Sequence, residues 1–244
     1  MRQALGLSRV ANFTTLYRFL QRLDDQTIDR AVGETVRRLR GTRKKARRRA
    51  RVAVDATGLA QGAISTFFVR RMHPHGQKPL PWRHWLKWVV VADLDQRFVL
   101  SQIARRGPWN DCANWPAVVE AASEQTRIGL VLADAEFDSV RNHAYLRREL
   151  GAQSVIPAKR RKKTWRLHGV RAQMQRAFPR RLYRRRALIE SLCSSLKRKL
   201  SARAPGCSLR TQMRQALLLD LSFNLYPLRH RYVFSRMSTE PNSI

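Results

Sequence analysis

Three carboxylates in this chain, Asp55, Asp134 and Glu190, stand in contexts suited to holding a divalent cation. Asp55 ends the apolar run Val52-Ala-Val-Asp55, and Asp134 ends Leu130-Val-Leu-Ala-Asp134. Glu190 lies in Tyr183-Arg-Arg-Arg186-Ala-Leu-Ile-Glu190-Ser-Leu-Cys-Ser-Ser-Leu-Lys197, a stretch with helical periodicity. If the two runs are adjacent parallel strands, their aspartates emerge at one sheet edge, where α/β folds place their sites. Two neighbouring carboxylates raise each other's pKa unless a cation lies between them. Oxygen donors of this kind suit magnesium or manganese, which retain waters and accept phosphate oxygens as further ligands. Such ions activate a water or hydroxyl nucleophile and stabilise a leaving oxygen.

The helix supplies cations beside its carboxylate. At about 100° per residue, Tyr183, Arg186, Glu190 and Lys197 share one stripe, while Ile189, Leu192, Cys193, Leu196 and Leu200 form an adjoining apolar face. The apolar side can pack on a sheet. The other side then presents a metal ligand with a phenol, a guanidinium and an ammonium for a nucleic-acid phosphate. Each residue alone has a plainer reading. A strand-end aspartate commonly shapes a turn or caps a helix, and Arg186 with Glu190 is an ordinary i,i+4 ion pair. The joint order and spacing distinguish the set.

Glu136 and Asp138 follow Asp134 closely and stand as alternative ligands. His73, His75 and His84 suggest zinc, but they surround a loop-like stretch with no cysteine nearby, so no zinc site is expected there. Asp93, Asp95 and Asp111 read as turn and cap residues.

The elements that must position these groups follow from patterning. Residues 12–40 read as two helices broken at Asp24-Asp25, with Asn12 or Thr14 capping the first. Their polar joint is compatible with a helix-turn-helix reader or with a hairpin packed on the core. The charge run Arg37–Arg51 follows and marks a boundary: helices and basic linker over 1–47, a second unit over 48–230, and a tail over 231–244. Strands are expected at Val52–Asp55, Ser65–Arg70, Trp85–Asp93, Arg97–Ile103, Ile128–Ala133 and Gln153–Ile156. Helices are expected from Pro116 to about Thr126, over Ser139–Leu150, around Glu190, and over Ser208–Leu225. Antiparallel strands first, then alternating strand and helix, imply an α/β fold with a mixed five-stranded sheet flanked by helices.

Composition narrows the partner. With 49 Lys and Arg against 17 Asp and Glu, the formal net charge is +32, which calls for a polyanion, and nucleic acid is the fitting one. Forty-three percent hydrophobic residues over 244 positions suffice for a core. Cys112, Cys193 and Cys207 form no Cys-x-x-Cys pair, which argues against a disulfide framework and points to a reducing compartment. The first residues do not form a signal peptide, and the apolar runs are too short to span a bilayer. A cytoplasmic, nucleoid-associated chain with no membrane role is expected.

The block Tyr183-x-x-Arg186-x-x-x-Glu190-x-x-x-x-x-x-Lys197 resembles the carboxy-terminal signature of the DDE transposases of bacterial insertion sequences, in the groups numbered four and five. Asp55 in Val-Ala-Val-Asp-Ala-Thr-Gly is similar to the first family aspartate, and Asp134 in Leu-Ala-Asp-Ala-Glu-Phe-Asp-Ser to the second. The runs Trp85–Asp93 and Gly107-Pro-Trp-Asn-Asp111 are also family-like, and the resemblance spans roughly residues 5–228. It implies a ribonuclease H-like fold, with Asp55, Asp134 and Glu190 carrying Mg2+, for which Mn2+ can substitute. It also implies Tyr183, Arg186 and Lys197 on double-stranded DNA of the element ends, cleavage there followed by strand transfer, and a homodimer on paired ends. Glu136 departs from the family, which usually has a small residue at that place. The amino-terminal region begins abruptly for the family, so a truncated, catalytically silent DNA-binding regulator of transposition is the alternative expectation.

Overall fold

A long strand at the centre of the sheet, residues 50–60, organises the molecule, its first half buried on both faces. The computed structural model describes residues 9–41, 48–60, 85–107, 111–159, 167–206 and 208–237. Strands β1 (Ala50–Ala60), β2 (Trp85–Asp93), β3 (Phe98–Arg106), β4 (Ile128–Ala133) and β5 (Gln153–Val155) form one sheet in the order β3-β2-β1-β4-β5. The pairs β1–β2 and β2–β3 are antiparallel, while β1–β4 and β4–β5 are parallel. This is the mixed five-stranded α/β sheet flanked by helices that the residue patterns predict, and it is consistent with the ribonuclease H-like fold that the family resemblance implies. Val52, Ala53, Val54, Val131, Leu132 and Ala133 are fully buried, as strands sandwiched between helices require.

The expected strand Ser65–Arg70 and the loop holding His73, His75 and His84 lie outside the described residues. The other expected strands are present, and two match at both ends. β1 differs most. The expectation ended it at Asp55, but it continues to Ala60, paired with β2 through Ala60 and Trp85. Gly58 sustains that pairing, since a Cβ there would come within 3.1 Å of the Trp85 ring. β4 stops earlier, its last pair being Ala133 opposite Val54. The second half of β1 therefore has no parallel neighbour in β4.

Helices α1 (Phe13–Arg22) and α2 (Asp25–Arg40) are capped by the side chains of Asn12 and Asp24, which accept from the N–H groups of Thr14 and Thr27. α2 buries Ile28, Val32, Val36 and Leu39 in the same core cluster as the sheet. The first residues of the charge run, Arg37, Arg38 and Arg40, thus form the last turn of a packed helix, where cations favour the negative end of the helix dipole. Helix α3 (Asp111–Gln125) begins more than a turn before the expected start at Pro116. A short helix α4 (Val140–Ala144) runs on as a π-turn, Tyr145–Glu149, filling the expected span 139–150.

Helices α5 (Gly169–Arg176), α6 (Arg180–Tyr183) and α7 (Ala187–Lys199) follow, with a 3-10 turn at Arg184–Arg186 joining the last two. The final helix, α8 (Leu209–Met237), passes through Pro227 and outruns its expected end at Leu225. It seals the outer edge of the sheet. Asn224 accepts from the Val99 N–H at 2.9 Å and donates to the Val99 carbonyl at 2.8 Å, standing in for a neighbouring strand. On the same helix, buried Arg214 donates to the carbonyls of Leu20 and Gln21 at the end of α1. No described helix is long and apolar enough to cross a membrane.

Candidate active site

The early end of β4 creates the site. Because Ala133 lies beside Val54, the next residues, Asp134 and Asp55, emerge next to each other. Asp55 thus sits in the middle of its strand, and the edge it occupies belongs to β4. Asp134 caps the 3-10 turn Ala135–Phe137, its Oδ1 accepting from the Glu136 N–H at 2.8 Å. That bond aims the other oxygen outward. The plain capping role and the candidate ligand role coexist in one side chain.

Helix α7 brings the third carboxylate. Ile189, Leu192, Cys193 and Leu196 are buried, and Glu190 faces away from them. All three acidic groups then meet on Arg186. Its Nη2 lies 2.7 Å from Asp55 Oδ1 and 3.6 Å from Asp134 Oδ2, and its Nη1 donates to Glu190 Oε1 at 2.5 Å. The Arg186 side chain is only 14% exposed, whereas Glu190 is 56% exposed.

The electrostatics follow from this crowding. Burial pushes the Asp55 carboxyl above its ordinary range; Arg186 opposes the rise, and Asp134 and Glu190 add to it. Burial works against the Arg186 charge, yet Asp55, Tyr183, Asp134 and Glu190 together hold its pKa above the usual value.

Tyr183 and Lys197 flank the cluster but are carried differently. The single continuous helix expected from 183 to 197 is instead α6, a 3-10 turn and α7. Tyr183 ends α6, with its ring edge-on to Phe178 at 4.9 Å, and burial raises its phenol pKa. Lys197 donates to the Thr57 hydroxyl, two residues beyond Asp55 on the same face of β1. Burial pulls the Lys197 pKa down. Cys193 lies behind this surface with its thiol pushed up to about 12 by burial, which keeps it from acting as a nucleophile.

The two alternative ligands are separated by their surroundings. Glu136 is exposed and pairs with Lys159 at 2.7 Å. The Asp138 side chain is fully buried, held by Arg171 at 2.7 Å and by the Lys159 N–H at 2.8 Å, so its oxygens are not available to an ion. One basic residue escaped the sequence reading: Lys87 on β2. Burial lowers its pKa, while Glu136 and Asp134 act to raise it, which places it beside the second aspartate. A lysine inside the apolar run Trp85–Asp93 was the available signal.

Among the described residues, no three His, Cys, Asp or Glu side chains are gathered closely enough to hold a metal ion. The carboxylates are spread around a guanidinium that already neutralises them. Three oxygen donors around one cationic group fit a hard divalent ion by chemistry, provided Arg186 withdraws and the carboxylates close in.

The sequence matches the family model described as the transposase DDE domain over residues 32–225. No curated protein matches it. A solved structure, piggyBac transposase in a synaptic complex with hairpin DNA, is similar at 13% identity and a TM-score of 0.37. The likeness covers 80% of this chain and 58% of that one, so the chain spans less than two thirds of that protein's length.

Proposed function

We propose, on the premise that the chain belongs to the transposase DDE domain family, that it cuts DNA at the ends of an insertion sequence and joins the freed ends to target DNA. One observation carries this reading: Asp55, Asp134 and Glu190, from two strands and a helix, converge on the single cation Arg186. Asp55, Asp134 and Glu190 would hold magnesium or manganese. Bound there, the ion would lower the pKa of the attacking hydroxyl or water and offset charge on the leaving oxygen.

The chain's own residues do the rest. In the first reaction a water oxygen forms a bond to phosphorus, the phosphorus–O3′ bond breaks, and the ends leave as a 3′-hydroxyl and a 5′-phosphate. In the second, that 3′-hydroxyl attacks a target phosphodiester and displaces the target's own 3′ oxygen. Arg186 must exchange its carboxylates for a phosphate, a partner to which a guanidinium can donate two parallel hydrogen bonds. Tyr183 and Lys197 bound the same surface, one with a ring edge and phenol, the other with an ammonium whose lowered pKa a phosphate would raise again. Arg37 and Arg38, exposed at the end of α2, extend the basic surface available to double-stranded DNA. Two element ends must be cut together, which calls for a homodimer.

The test is an end-cleavage assay on the DNA flanking the gene, in Mn2+, with Asp55→Ala and Glu190→Ala alongside. Paired cuts at inverted ends that vanish in both variants support the reading. Cuts that persist in both variants overturn it. Tight end binding without cuts would identify a silent regulator of transposition instead.

A further inference from the structure

Asp138 lies four residues beyond Asp134 and touches no part of the site, yet its carboxylate is the most heavily bonded in the molecule's described part. Arg171 of α5 donates to both of its oxygens, Nε at 2.9 and 3.0 Å and Nη2 at 2.7 Å. The Lys159 N–H, just beyond β5, adds a bond of 2.8 Å, and His143 Nε2 of α4 stands 3.5 Å away. His143 is itself fixed, its Nδ1 2.7 Å from the buried Ser154 hydroxyl, which also accepts from Arg147 Nε at 3.0 Å. Three separate elements therefore converge on one side chain with no exposure.

The turn between Asp134 and Asp138 transmits that fixation. The Phe137 N–H donates to the Asp134 carbonyl and the Asp138 N–H to the Ala135 carbonyl, each at 3.1 Å. Phe137 is fully buried against Trp115 at 5.2 Å, and its carbonyl accepts from Asn142 at 2.8 Å. At the other end, Asp134 Oδ1 is committed to the Glu136 N–H. With the turn pinned at 137 and 138, the outward oxygen of Asp134 faces Arg186, 3.6 Å away. Burying a carboxylate is costly, and the donors that offset that cost around Asp138 also fix the geometry of the turn.

We propose that Asp138 is a positioning residue that sets the direction of the Asp134 carboxylate, resting on the reading of Asp134 as a metal ligand. It acts through the 3-10 turn and ties that turn to α4, α5 and the segment after β5. Loss of a group that orients a ligand typically weakens metal affinity about 10- to 100-fold.

Two readouts test this on the full chain. The first is hydrogen exchange of the Glu136, Phe137 and Asp138 amides. The second is Mn2+ binding followed by electron paramagnetic resonance. Asp138→Asn keeps the shape and removes the charge; Arg171→Gln leaves the turn's own sequence untouched, should the first variant fold poorly. Thr35→Ala, a buried change on α2 far from the turn in sequence, controls for general destabilisation. The expected result is faster exchange across the turn and Mn2+ binding weakened about tenfold in both site variants, with neither change in Thr35→Ala. Unchanged exchange, or a loosened turn with wild-type Mn2+ affinity, overturns the proposal. A wild-type chain that binds no Mn2+ refutes the ligand reading of Asp134, and the exchange result then decides alone whether Asp138 fixes the turn.

Discussion

Two arginines, one buried and one half-buried, occupy oxygen-rich surroundings in different regions of this protein, and their partners give them different prospects. Arg214, 3% exposed on α8, donates to the carbonyls of Leu20 and Gln21 and meets the carboxylate of Asp25. Two of those acceptors belong to the backbone of a helix end, which needs such donors to satisfy its last carbonyls. Arg186 is half-buried, and each of its ion-pair partners is a carboxylate. Carbonyls at a helix end gain little from losing an arginine to another cation. Three carboxylates accept any cation of suitable charge and size. Arg214 is therefore a clamp, whereas the proposed function makes Arg186 an exchangeable occupant.

The largest effect that would sharpen this contrast comes from the carboxylates around Arg186. Asp55→Ala or Glu190→Ala should lower metal-dependent cleavage by about 1000-fold or more, since the loss of several kcal/mol of charge stabilisation converts to that scale. Because Glu190 is largely exposed, its variant should unfold at the wild-type temperature, which calorimetry would show.

Next in size, Arg214→Ala should destabilise the fold by about 3 kcal/mol in urea titrations, as buried acceptors lose their donor. Added Mg2+ should restore none of it. Arg186→Ala should behave in the opposite way, with stability that is low in chelator and recovers as Mg2+ is titrated in. Equal responses of the two variants to Mg2+ would break the comparison.

A third prediction concerns pH. Contacts with His143, Arg171 and the Lys159 N–H outweigh burial and lower the Asp138 pKa from 3.8 to about 2. A depressed acid pKa contributes stability that is present above pH 3.8 and lost as pH falls through about 2, here about 2 kcal/mol. Asp138→Asn should flatten that acid limb of the unfolding profile. Asp220 carries the reverse sign. It is fully buried with no hydrogen-bond partner among the described residues, and burial raises its pKa well above 3.8. Its contribution is complete in acid and is lost as pH climbs through the raised value, so Asp220→Asn should remove a decline on the rising side.

The smallest effect belongs to the surface. Lys159→Ala breaks an exposed pair with Glu136 and should change stability by less than about 1 kcal/mol. A larger loss would show that the neighbourhood of Asp134 is tighter than exposure suggests.

Much of this architecture was legible in residue patterns. Trp85–Asp93 and Ile128–Ala133 could be bounded because continuous apolar runs ending on polar residues are what buried strands leave in a sequence. The break at Asp24-Asp25 was visible because aspartate caps the helix that follows. Three things were not. β1 runs past Asp55 through Ala56 and Gly58, residues of low strand preference that are kept extended by pairing with β2. Pro116 suggested a helix start that packing overrides, so α3 begins before it, and α8 passes through Pro227 beyond its expected end. Arg186 was expected on DNA, and its grip on Asp55 joins positions 131 residues apart, a separation that local periodicity does not encode.

The seal that α8 places on β3 has a consequence for biosynthesis. By residue 190 the ribosome has produced all three converging carboxylates, but Asn224 and Arg214 are still to come. Until α8 emerges, the Val99 backbone lacks its partner and α1 lacks its anchor. A nascent chain with an open sheet edge cannot close a core whose contacts reach from residue 28 to residue 228. Folding of the core thus waits until α8 has been synthesised, well after all three carboxylates have been made.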